Sequence, residues 1–85
     1  MTNNVQDKKI YWQTRRGVLE LDFVLQDFWH EYRSRMGVDQ KKLFSKLLTC
    51  QDPELLQYLV YRSSKPADLD SLLMVDIILE HIDSK

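Results

Sequence analysis

The chain has few of the residues that interrupt, cross-link or anchor a fold. Its 85 residues include two glycines, two prolines and one cysteine. A lone Cys50 cannot close an internal disulfide, which fits a reducing compartment. Within Leu47-Leu48-Thr49-Cys50 it reads as a small buried thiol rather than a reactive one. No apolar run approaches the ~18 residues of a membrane span. The stretch from Met1 to Asp7 lacks both a signal-peptide apolar core and the Arg-rich character of a transit peptide, so a cytoplasmic location is expected. One-sided charge is missing too: the formal net charge is −1, and no basic field draws the whole molecule onto nucleic acid.

Catalytic signatures are equally sparse. There is no Gly-x-Ser-x-Gly and no glycine-rich loop to cradle a phosphate. His30 and His81 lie far apart, and neither has a Cys or second His at metal-ligand spacing. His30 reads as a partly exposed helix residue, and His81 as a side chain placed against the negative end of the last helix. With no nucleophile–base pair and no metal set, an enzyme is not expected.

What is present is helical. The 44% hydrophobic and 29% charged residues are ordinary for a soluble globular chain. A chain this short buries only roughly 60–65% of its unfolded surface, which leaves little room for deep pockets. Residues 1–6 read as a flexible N-terminus, and 7–85 as a single helical domain. Apolar spacing predicts a first helix from about Asp7 to Arg16, with Ile10, Tyr11 and Thr14 on one side, ended or bent by Gly17. A second spans about Val18 to Met36, with Leu21, Leu25, Phe28, Tyr32 and Met36 as its core stripe. Gly37 closes it and Asp39 caps a third, about Gln40 to Thr49, through Leu43, Phe44, Leu47 and Leu48. Asp52 and Pro53 open a fourth as cap and first helical residue, carrying Leu55, Leu56, Leu59 and Val60 to near Ser63. Pro66 and Asp68 open a fifth, with Leu69, Leu72, Leu73, Val75, Leu79 and Ile82 inward. Strand signals are absent. The expected fold class is all-α, a compact single-domain bundle of five short helices.

Charge is segregated around the first glycine. Before it stand Lys8, Lys9, Arg15 and Arg16 against Asp7; after it stand Glu20, Asp22, Asp27 and Glu31, with no Lys or Arg until Arg33. Two readings stand side by side. Arg16 and Glu20, four apart, can form a surface ion pair worth under ~1 kcal/mol. Alternatively, Arg15, Arg16, Gly17, Glu20 and Asp22, with Tyr11 and Trp12 beside them, form a mixed-charge docking face, since aromatics and arginine concentrate interface energy. A weaker third reading takes Lys41, Lys42 and Lys46 as the recognition helix of a helix-turn-helix DNA-binding protein. That helix lacks base-reading side chains other than Gln40, and acids follow it.

The stretch Tyr11-Trp12-Gln13-Thr14-Arg15-Arg16-Gly17-Val18-Leu19-Glu20-Leu21-Asp22 resembles the Arg-Gly-x-x-Glu signature of the FAD assembly factors of succinate dehydrogenase. That family comprises bacterial SdhE and the mitochondrial succinate dehydrogenase assembly factor 2. The aromatic helix from Phe28 to Tyr32, the run from Leu47 to Leu55 and Lys65-Pro66-Ala67-Asp68 extend the resemblance over essentially the whole chain. Lys9 and Tyr11 depart from the arginine and histidine common in bacterial members. The resemblance implies a chaperone-like bacterial protein of the cytoplasm, one that binds the flavoprotein subunit of succinate dehydrogenase and also that of fumarate reductase. It would promote covalent FAD attachment there while holding no cofactor stably itself. Arg16, Gly17 and Glu20 would form the centre of its docking face, and a side chain at Gly17 would clash with the partner. The family also carries an antitoxin label, which implies the alternative of a regulatory protein that binds a membrane toxin. A monomer is expected, with Trp12 or Trp29 available for a dimer contact if exposed.

Overall fold

The computed structural model describes residues 5–84, and among them five helices follow the apolar periodicity with no strand. They are α1 (Val5–Gln13), α2 (Leu19–Tyr32), α3 (Val38–Leu47), α4 (Asp52–Leu59) and α5 (Leu69–Asp83). Of the stretch 1–6 read as a flexible N-terminus, residues 1–4 lie outside the described residues, and Val5 opens α1.

The stripe on α2 packs as its spacing requires: Leu21, Leu25 and Phe28 are fully buried, and Tyr32 and Met36 lie partly buried against them. Trp29 joins the core, stacking on Phe44 at 5.9 Å while Phe28 tilts against the same ring at 5.3 Å. The helix stops at Tyr32, short of Met36, in a turn where the Arg35 and Met36 N–H groups both bond the Tyr32 carbonyl. Gly37 does not close α2. It is the N-cap of α3 with an extended backbone (φ −76°, ψ 177°), and Asp39 sits inside the first turn rather than capping it.

A shorter shift, of one residue, occurs at α4. Gln51 holds the N-cap position, and the Glu54 carboxylate accepts its backbone N–H at 3.2 Å. Asp52, expected as the cap, is therefore the first helical residue, followed by Pro53. Asp68 does cap α5 as predicted, accepting the Ser71 N–H at 3.0 Å.

The inward face of α5 differs from its expected set. Val75 is buried, and Leu72, Leu79 and Ile82 are partly so, but Leu69 and Leu73 are exposed. Met74, Ile78 and His81 take the core positions instead. Apolar residues occur nearly all round this helix, so periodicity alone does not select one face.

α3 lies between α1 and α5, while α2 packs on α4 and α5. Beyond the buried Ile10, α1 is tied to α3 by polar clips: Lys41 to Asp7 at 2.8 Å and Ser45 to Gln13 at 2.9 Å. Buried Pro66 anchors the α4–α5 connection, and Arg62, at φ 55°, grips both carboxylate oxygens of Asp83.

Candidate functional site

The junction between α1 and α2 is built by short-range capping plus one long-range anchor. Past Gln13, the Thr14 N–H still bonds the Ile10 carbonyl, and its hydroxyl bonds the Tyr11 carbonyl, which lets Thr14 be fully buried. Gly17 then turns the chain at φ +81°, a left-handed conformation that L side chains resist. The Asp22 carboxylate accepts the Arg16 backbone N–H at 2.6 Å, fixing the turn against the first turn of α2.

The Arg16 side chain points into the molecule. Its Nε donates to Asp52 Oδ1 at 2.8 Å, Nη1 to the carbonyls of Gln13 and Leu48, and Nη2 to the carbonyl of Cys50 at 2.7 Å. The side chain retains 17% exposure. The Arg16–Glu20 surface pair is thus not formed, because the guanidinium fork is satisfied by the α3–α4 loop.

The remaining residues of the motif divide by exposure. Arg15, Gly17 and Glu20 are exposed, as are Tyr11 and Trp12, the latter at 65%. Tyr11 therefore faces outward and not with Ile10 and Thr14. It meets Trp12 edge-on at 5.7 Å, and the Arg15 guanidinium lies 5.8 Å from the Trp12 ring centre. Asp22 is half-buried and committed to the turn. A Cβ built on Gly17 meets nothing within 4 Å. Within the free chain, glycine is needed there for backbone conformation and not for space.

Three features were not expected from the sequence, two at this junction and one between α2 and α5. Asp52 is the acidic partner of Arg16, yet 36 residues of separation leave no local signal. Leu19 and Phe23 stand 77% and 73% exposed, and their i, i+4 spacing off the core stripe was the available clue. His81 is more than a charge at a helix end: it is buried, its Nε2 lies 3.0 Å from Asp27 Oδ2, and its ring meets Phe28 and Tyr32 edge-on.

Other candidates are placed as follows. Cys50 is half-buried; burial, then the charges of Glu54 and Asp68, push its thiol up against the opposing effect of Arg16. Of the α3 lysines, Lys41 is folded over Trp29 toward Asp7, and Lys46 pairs with Asp68 at 3.3 Å, so no row of three exposed lysines exists. Trp29 is buried, which leaves Trp12 as the exposed tryptophan. Among the described residues no helix is long and apolar enough to cross a membrane.

Residues 8–82 match the family model described as the flavinator of succinate dehydrogenase. The chain belongs to that family. It is 34% identical over 82 residues to the FAD assembly factor SdhE of Pseudomonas aeruginosa, covering 96% of each chain. To the protein of that name from Pseudomonas savastanoi pv. phaseolicola it is 34% identical over the full length of both. To that of Mannheimia succiniciproducens it is 36% identical over 72 residues, 85% of this chain and 83% of the relative. In this member of the flavinator family, the Arg-Gly-x-x-Glu stretch combines an inward anchor, a left-handed glycine and an outward acid.

Proposed function

We propose that this chain is an FAD assembly factor that binds the flavoprotein subunit of succinate dehydrogenase and promotes covalent attachment of its FAD. Fumarate reductase, whose flavoprotein presents the same task, is the second partner. The observation that carries this reading is the family match across residues 8–82. It is supported by the exposed arrangement of Tyr11, Trp12, Arg15, Gly17 and Glu20 around one turn. Arg16 and Asp22 hold that turn in place from beneath.

The bond-forming chemistry belongs to the flavin and to the flavoprotein. This chain contributes no acid, base or nucleophile and is not an enzyme. It acts by binding the flavoprotein better in the arrangement that brings flavin and acceptor side chain into register, which shifts the population toward attachment. Association is transient, so a mixed-charge face with few aromatic anchors suits it better than a large apolar interface.

Deletion of the gene in the native cell is expected to leave the flavoprotein without covalent flavin, read as lost fluorescence of the denatured subunit. The wild-type chain restores it and a folded Gly17→Arg variant does not. Full covalent flavin in either the deletion strain or the Gly17→Arg strain would overturn the proposal.

A further inference from the structure

We infer that Leu19 and Phe23 form the apolar centre of the surface that grips the flavoprotein. This deepens the docking function just proposed and rests on it.

Helical geometry places both side chains on one face of α2, opposite the buried Leu21, Leu25 and Phe28. At 77% and 73% exposure they gain little from the fold that presents them. Single exposed apolar residues are ordinary, but here two bulky ones occupy successive turns of the helix that opens two residues after Gly17. One edge of the ridge carries exposed Glu20 and, at helical spacing beyond it, Asp27 and Glu31, the former held by His81 and the latter paired with Arg35 at 3.0 Å. The other edge carries Asp22, whose bond to the Arg16 N–H brings in the end of α1, with exposed Trp12 and Arg15. An apolar ridge between an acidic edge and a basic, aromatic end fits a folded protein surface of mixed charge. The acids disfavour an anionic membrane and nucleic acid alike.

A second exposed stripe, Leu69, Leu73 and Ile77 on α5, has the same chemistry but lies on another helix, with nothing to say what covers it. It provides an internal control.

The test uses the purified full chain and the purified flavoprotein subunit, with calorimetry for affinity and circular dichroism for fold. Leu19→Ser/Phe23→Ser is expected to keep the wild-type helix signal and Tm while binding at least ~10-fold more weakly. Leu73→Ser/Ile77→Ser should bind as wild type. Undiminished binding by Leu19→Ser/Phe23→Ser overturns the inference and leaves the docking function standing. Equal loss in both double variants overturns it as well, and so does a variant effect confined to anionic phosphatidylserine vesicles. No binding by the wild-type chain overturns the docking function itself, and this inference falls with it.

Discussion

Arg16 Nε donates to Asp52 Oδ1 at 2.8 Å, joining the α1–α2 turn to the start of α4. The same guanidinium bonds the carbonyls of Leu48 and Cys50, so one side chain sews the α1–α2 turn to the α3–α4 loop. The motif arginine thereby sets the frame in which Gly17, Glu20 and the exposed aromatics are presented.

Removing that fork should cost stability as well as function. Arg16→Ala is expected to lower the unfolding free energy by about 2–4 kcal/mol, since it leaves partly buried carbonyls unpaired. Arg16→Lys should recover only part of this, because an ammonium cannot span acceptors arranged for a planar fork. Asp52→Asn, which keeps an acceptor at a half-exposed site, should cost about 1 kcal/mol or less. Urea denaturation of the three variants gives the ranking, and wild-type stability in Arg16→Ala would refute the anchor.

The two glycines should respond in opposite directions. Gly17→Ala forces a side chain to φ +81° and is expected to destabilise by about 1–2 kcal/mol despite the open space around it. Gly37 has an ordinary extended backbone at a helix N-cap with no side-chain cap. Gly37→Ser should therefore stabilise by about 0.5–1 kcal/mol, through a new cap and a less flexible unfolded chain. Thermal melts of the pair check both signs.

His81 binds α5 to α2 through Asp27 and through its ring contacts with Phe28 and Tyr32. His81→Ala is expected to lose about 2–4 kcal/mol, from the cavity and the broken hydrogen bond together. His81→Leu should lose less, since it refills the space and Asp27, partly exposed, can turn to water. Equal losses in chemical denaturation would place the energy in the hydrogen bond rather than in packing.

Acid should weaken the start of α5 by a defined route. The Asp68 carboxyl is held below its ordinary range chiefly by the Ser71 backbone N–H, with help from the Ser71 hydroxyl and Lys46. Because the folded value is the lower one, the stabilisation is complete above the unfolded value, roughly pH 4. It is lost as pH falls further, through the folded value. Asp68→Asn should flatten that part of the stability–pH curve relative to wild type, measured as Tm from pH 6 down to pH 2.

The helices were legible because their spacing is driven by a single core. Leu21, Leu25, Phe28, Phe44, Leu47, Leu55 and Val75 fell where the 3.6-residue period placed them. Their ends were less legible. At α3 and α4 the cap lies one or two residues from its expected place, since several neighbouring residues can cap, and at α4 the reciprocal Gln51–Glu54 pair takes the position. On α5, Leu69 and Leu73 looked as apolar as Met74 and Ile78, and only packing separates them. At the α1–α2 junction, the turn at Gly17 was legible but not the directions of the side chains around it. Arg16 turns inward because its acceptors come from a loop 32–36 residues away, a relation no local pattern encodes.

The left-handed backbone at Gly17 makes the position sensitive to the chirality of whatever residue stands there. A backbone at φ +81° is strained for an L-residue but natural for its mirror image. Incorporating D-alanine at position 17 by chemical synthesis would therefore add a methyl group while leaving the turn relaxed. If the docked flavoprotein comes so close that only a bare Cα fits, the D-alanine chain folds like wild type and fails to dock. If the turn itself is all that glycine provides, it does both. Chirality thus separates what Gly17 does for its own chain from what it does for another.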